Sequence, residues 1–194
     1  MKTSPWNKDR TIGQKRPLQI FHIWGIRIRL ELEGKTRDLA LFNMALDTKL
    51  RGCDLVKLKV SDAAYGSSVS SRATVLQQKT GSPVQFEITK GTREAVTALI
   101  KLGNWHSKGF LFRSRVGTNH HISTRQYNRI SHGWVEKLGL EDSLYSTHSM
   151  RRTKPYLIYK KTKSLRVIQL LLGHKKLEST VRYLGIEVDI EGLF

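Results

Sequence analysis

The apolar positions of this chain fall mostly at helical spacing. Residues 38–50, DLALFNMALDTKL, place Leu39, Phe42, Ala45 and Leu50 on one side of a helix, as a core-facing stripe requires. Residues 91–102, GTREAVTALIKL, repeat the pattern, with Thr92 as a candidate cap. Residues 123–138 do so again, with Tyr127, Ile130, Trp134 and Leu138 as the buried side. Leu165, Ile168, Leu171 and Leu172 form a further stripe that Gly173 would stop. A last short helix, carrying Val181, Arg182, Tyr183 and Leu184, would be capped by Ser179 or Thr180. The period changes to two in two places. ATVLQQ and VQFEI flank the turn signal Lys79-Thr80-Gly81-Ser82-Pro83, which predicts a hairpin over 71–89. Over 17–32 the alternation IRIRLELE reads as a strand, interrupted upstream by Gly25. Trp105, Phe110, Leu111 and Phe112 supply one more apolar run. These elements predict an α+β fold, mostly helical, with a small antiparallel β-hairpin.

Charge narrows the function. The 194 residues hold 34 Lys and Arg against 16 Asp and Glu, a net charge of +18, with 39% hydrophobic and 26% charged residues. That composition is globular rather than disordered. A balance so basic points to an anionic polymer, since each cation near a phosphate releases counterions. Charge alone does not separate a DNA-binding protein from an RNA binder or a solvated basic surface. Cys53 is the one cysteine, which excludes an intrachain disulfide and a cysteine-rich metal site and fits a reducing cytoplasm. His120 and His121 are adjacent, but no third ligand has metal-site spacing, so no metal and no cofactor are expected. No apolar run reaches membrane-spanning length. Residues 1–17 read as a basic arm with Lys2, Lys8, Arg10, Lys15 and Arg16, and without the apolar core of a signal peptide.

The densest chemistry lies between residues 146 and 185. His148 and Arg151, three apart, share a helix face. His174 follows Gly173 where the chain turns, and Tyr183 sits in the helix after it. Cations, imidazoles and a phenol on short, well-punctuated elements are what chemistry at a phosphodiester needs. Pro155 falls where a helix interior is expected, so either the helix kinks there or a new one begins with Pro155 in its first turn.

HSMRRT, LLGHKKLESTVRYLG and, upstream, TKLRGCDLVKLKVSD resemble the signature boxes of the tyrosine recombinases, the phage-integrase family. The resemblance runs from about residue 38 to the end. It implies a tyrosine-recombinase catalytic domain over 18–194 behind the arm; the family usually carries a separate N-terminal clamp domain, and this chain departs from it in having no room for one. It implies a site-specific recombinase that cleaves and rejoins DNA through a 3′-phosphotyrosine, without metal or ATP. By the same resemblance Tyr183 is the nucleophile and Arg51 and Arg151 clamp the phosphate. His148 exchanges a proton near the nucleophile, His174 hydrogen-bonds the phosphate, and Lys79 in the hairpin protonates the departing oxygen. Asp54 stands where the family has a glutamate, placed to hold Arg51. Arg113, Arg115, His120, His121, Arg125, Arg129, Arg152, Lys175 and Lys176 are candidate DNA contacts. The implied partners are double-stranded DNA and further copies of the chain, a tetramer assembled on DNA, in the cytoplasm. The competing readings are a catalytically inactive DNA-binding regulator of the same fold and a topoisomerase-like nicking and resealing protein.

Overall fold

The computed structural model describes residues 14–66, 68–103, 106–116 and 120–185. Most of the predicted basic arm, Trp105 and the tail beyond Gly185 lie outside the described residues. In chain order the elements are α1 (Ile20–Leu32), α2 (Thr36–Thr48), α3 (Gly52–Val56), α4 (Val60–Ala63), β1 (Ala64–Tyr65), β2 (Ser68–Val69), β3 (Arg72–Leu76) and β4 (Pro83–Glu87). Then come α5 (Lys90–Gly103), α6 (Thr124–Glu136), a 3-10 turn (Asp142–Leu144), α7 (Thr147–Thr162), α8 (Leu165–Leu172) and α9 (Leu177–Leu184). Two antiparallel pairs, β1 with β2 and β3 with β4, are the β content of the described residues.

Helix α2 is the centre. Every residue from Ala40 to Thr48 is buried, and α1, α3, α5, α7 and β4 pack around it. Phe42 is fully buried and meets the Trp134 ring edge-on at 5.2 Å. Each such side chain contributes roughly 1.5–3 kcal/mol through burial. Asp47, near the end of α2, ties two neighbours to it. Its Oδ2 accepts from the Thr89 N–H at 2.8 Å and the Thr92 hydroxyl at 2.7 Å, and its Oδ1 pairs with Lys154 at 3.3 Å. Thr92 is therefore not the cap of α5 but a buried donor inside it.

The strand reading of 17–32 is corrected: this segment is α1. Within IRIRLELE, Ile26 and Leu30 belong to a core stripe that begins at Ile23, spaced by three and four residues, while Ile28 and Leu32 are exposed. The alternation was a helical stripe with apolar residues left over on the outer face. Gly25 does not interrupt it. A β-carbon there would come within 2.9 Å of Leu138, so this glycine lets the turn that follows α6 lie close.

The hairpin forms as predicted, with Arg72 opposite Glu87 and Leu76 opposite Pro83. Ser123 starts α6 by accepting from the Gln126 N–H at 3.0 Å. Gly173 ends α8 with φ at +68°. Two expectations change. Helix α7 begins at Thr147, so Pro155 lies well inside it and starts no new helix. The helix is anchored at its start by a reciprocal cap. The Ser146 hydroxyl accepts from the His148 N–H at 3.2 Å, and the Ser146 N–H donates to the Ser149 hydroxyl at 3.1 Å. Helix α9 begins at Leu177, which puts Ser179 and Thr180 inside it rather than at its cap.

Candidate active site

Three loci converge on Tyr183. Helix α7 presents His148, Arg151 and Arg152 from its first turns, the turn between α8 and α9 presents His174, and the start of α3 presents Arg51. The guanidinium carbons of Arg151 and Arg152 each lie 5.8 Å from the centre of the Tyr183 ring. The His174 ring meets it edge-on at 5.6 Å. The Tyr183 hydroxyl is buried, and no described group hydrogen-bonds to it. Beside it opens a depression of about 860 Å³ whose walls include His174, Lys176, Arg182 and Gln14.

The electrostatics follow from this crowding. Burial raises the Tyr183 pKa, and Arg151, Arg152 and Arg51 oppose that rise. Burial also lowers the pKa of Arg151, helped by Arg51, while Tyr183 and Asp54 act the other way. His148 is lowered by desolvation, then by Arg151, Arg152 and Lys15. His174 is lowered by desolvation and by Arg151. Both imidazoles are therefore held toward the neutral form, which can accept a proton at one nitrogen and donate from the other. His174 Nδ1 is hydrogen-bonded to the Thr180 hydroxyl at 3.1 Å, which fixes the ring's orientation.

Arg51 is held differently from expectation. Its Nη1 donates to the side-chain oxygen of Gln77 at 2.6 Å. Asp54 accepts from the Gln78 N–H at 3.0 Å through Oδ1, and its buried Oδ2 has no hydrogen-bond partner among the described residues. The aspartate thus holds the hairpin rather than the arginine. Lys79 is exposed in the hairpin turn, two residues beyond Gln77.

The candidate DNA contacts separate into two groups. Arg115, His120, Arg125, Arg129, Lys175 and Lys176 are exposed. Arg152 is turned inward instead. It is buried, and it donates to the Lys15 carbonyl at 2.7 Å and to the Gln14 side-chain oxygen at 2.6 Å. Its charge serves Tyr183 and the incoming chain segment, so it is not presented to DNA here. Arg113 packs against Gly109, and His121 bonds its own neighbour's carbonyl, that of Ile122, at 2.7 Å. Among the described residues no three His, Cys, Asp or Glu side chains gather as a metal site would need. Gln77 and Gln14 escaped the sequence reading. The one available signal for Gln77 was its place at the end of a strand, just before the turn lysine.

The site is thus a buried phenol flanked by Arg151, Arg152 and His174 near the end of a helical domain. The chain belongs to the phage integrase family, whose model matches residues 27–188. It is 29% identical over 165 residues to the probable integrase/recombinase YoeC of Bacillus subtilis (strain 168), covering 81% of this chain and 82% of that one. It is 27% identical over 168 residues to tyrosine recombinase XerC of Chromobacterium violaceum, covering 83% of this chain and 52% of that relative, so it spans about half of XerC's length. The fold matches the crystal structure of XerA recombinase with a TM-score of 0.74 at 19% identity, over 91% of this chain and 62% of the other. Other matched structures, with TM-scores of 0.66 to 0.70, are recombinases or integrases solved with bound DNA.

Proposed function

We propose that this chain is a site-specific recombinase that cuts and rejoins double-stranded DNA by transesterification at phosphorus. The observation that carries the proposal is the Tyr183 hydroxyl, buried without a hydrogen-bond partner among the described residues, beside Arg151, Arg152 and His174. A phenol with an ordinary pKa of ~10 is a poor nucleophile at neutral pH, and burial makes it poorer, so it needs a base and the nearby arginines. The Tyr183 oxygen forms a bond to phosphorus as the bond to the 5′-oxygen breaks. His148 takes the phenolic proton, and Lys79 gives a proton to the departing 5′-oxygen, which leaves as a hydroxyl. Arg51 and Arg151 neutralise the charge gathering on the non-bridging oxygens, usually the largest catalytic contribution. His174 donates to the same phosphate. The linkage energy is kept in the 3′-phosphotyrosine, so another strand's hydroxyl reverses the step onto a new partner.

The exposed cations on α6 and in the α8–α9 turn, with the chain's net charge, suit a DNA backbone. Assembly of several copies on DNA and a cytoplasmic location belong to the same proposal. No helix of the described residues is long and apolar enough to cross a membrane. Covalent trapping on nicked fragments of the source replicon tests it. A denaturation-resistant adduct that Tyr183→Phe abolishes is the expected result. Tight DNA binding with no adduct from the unaltered chain would make it a DNA-binding regulator instead.

A further inference from the structure

The Lys79 hairpin and Arg51 are joined through one side chain. Gln77 is buried at the end of β3. Its main chain closes the turn, donating to the Ser82 carbonyl at 3.0 Å and accepting from the Gly81 N–H at 2.8 Å. Its side-chain oxygen accepts from Arg51 at 2.6 Å and from the Thr80 hydroxyl at 3.1 Å. The next residue makes a second tie. The Gln78 N–H donates to Asp54, and its side-chain oxygen accepts from Lys57 at 3.1 Å. The hairpin tip is thus docked on α3 by adjacent residues, and Lys79 follows directly after that anchor.

The chemical type of the partner matters as much as its place. A carboxylate would hold a guanidinium at least as firmly, by a charge-assisted pair, but would neutralise it. An amide oxygen holds it and leaves the charge whole. Asp54, the nearby buried carboxylate, is turned to a backbone N–H instead.

We propose that Gln77 is a positioning residue that couples the Lys79 hairpin to Arg51 and, being neutral, reserves the arginine's charge for the scissile phosphate. This rests on reading Arg51 as the phosphate clamp and Lys79 as the leaving-group acid. The test uses the full chain and the duplex identified by adduct trapping, made in three forms: an ordinary phosphodiester, a methylphosphonate at the scissile position, and a 5′-bridging phosphorothiolate. The methylphosphonate lacks one negative oxygen, and the thiolate departs without a proton.

Gln77→Glu is expected to keep the wild-type Tm and to slow adduct formation ~100-fold on the phosphodiester, the scale of one lost oxyanion contact. On the methylphosphonate it should approach the wild-type rate. Gln77→Ala is expected to lose ~100-fold through misplacement. The thiolate should restore it in part, whereas it should restore Lys79→Ala almost fully. A wild-type rate for Gln77→Glu, or an equal deficit on phosphodiester and methylphosphonate, overturns the proposal. So does complete thiolate rescue of Gln77→Ala, which would leave Arg51 out of the coupling. If the unaltered chain forms no adduct at all, the functional reading falls separately. NMR of the Arg51 guanidinium protons, with orthovanadate as the anion, then decides the clamp alone. Slow proton exchange in the wild type and Gln77→Glu, and fast exchange in Gln77→Ala, is expected; equal exchange in all three refutes it.

Discussion

Removing the Tyr183 hydroxyl should abolish chemistry and at the same time stabilise the fold. The hydroxyl is buried with no hydrogen-bond partner among the described residues. A buried polar group in that state costs ~1–3 kcal/mol relative to one that is bonded or absent. Tyr183→Phe deletes one oxygen, keeps the ring between Arg151, Arg152 and His174, and opens almost no cavity. We expect a gain of about 1 kcal/mol, which for a chain of this length raises Tm by ~2–4 °C. The pH dependence has a definite sign. The folded-state pKa of Tyr183 is raised, so its contribution is whole below the unfolded value of ~10 and is lost as pH rises above it. Phenylalanine has no such loss, so the variant's advantage should widen above pH ~10. The assay is thermal unfolding of both proteins without DNA, alongside adduct formation. An unchanged or lower Tm in the variant would show that the hydroxyl is satisfied in solution, and the argument for a desolvated, waiting nucleophile would fail even if the adduct disappeared.

Three further outcomes follow from the same geometry. Lys15 is one of the cations that hold down the His148 pKa, so Lys15→Ala should move the His148 titration upward, read from its imidazole NMR shifts. Thr180→Val keeps the shape of the side chain but removes the partner of His174 Nδ1; we expect a fall of ~5-fold in adduct rate from the lost ~1 kcal/mol of positioning, and a change of His174 tautomer in the nitrogen spectrum. Lys49 is buried beside Lys154, and its pKa is depressed from 10.5 to about 8. Its charged form therefore opposes folding fully below pH 8, and the penalty is relieved as pH rises toward 10.5. Lys49→Met should be more stable than the parent at pH 7 by roughly 1–2 kcal/mol after solvent screening, and chemical denaturation should show that margin shrinking above pH 8.

What the sequence made legible was local. The hairpin announced itself through two alternating runs around a Gly-Ser-Pro turn, and Gly173 announced the end of α8. The order of the boxes was enough to name Arg151, His174 and Tyr183, which lie together in the fold. What stayed hidden depends on partners far along the chain. The stretch IRIRLELE satisfies a period of two by coincidence, because its second and fourth apolar positions, Ile28 and Leu32, are surplus exposed residues, and only packing against α2 shows which stripe is used. Thr180 looks like a cap, yet its hydroxyl is engaged by His174. Arg152 looks like a DNA contact because it follows Arg151, but the helix turns it toward residues 14 and 15, more than a hundred positions earlier. Gln77 could not be found by charge at all, since its value lies in having none.

That neutrality extends beyond Gln77. Elsewhere the fold pairs its cations with carboxylates: Arg37 with Asp38 at 3.1 Å, Arg72 with Glu87 at 3.0 Å, Lys137 with Glu33 at 2.5 Å and Lys154 with Asp47 at 3.3 Å. At the site the holders are uncharged. Arg51 is held by an amide, Arg152 by an amide and a carbonyl, and His174 by a hydroxyl. Among the described residues no carboxylate forms an ion pair with Arg51, Arg151 or Arg152. Gathering like charges in a partly desolvated place opposes folding, as the lowered pKa of Arg151 records. A fold that used these arginines for stability alone would gain by pairing them as it pairs Arg37 and Arg72. Leaving all three without a countercharge, with Arg51 and Arg152 oriented by neutral acceptors, makes sense where the compensating anion arrives from outside. In the proposed reaction a scissile phosphate between Arg51 and Arg151 supplies that charge and so offsets the cost of gathering the arginines, while the Tyr183 proton still has to be taken by a base.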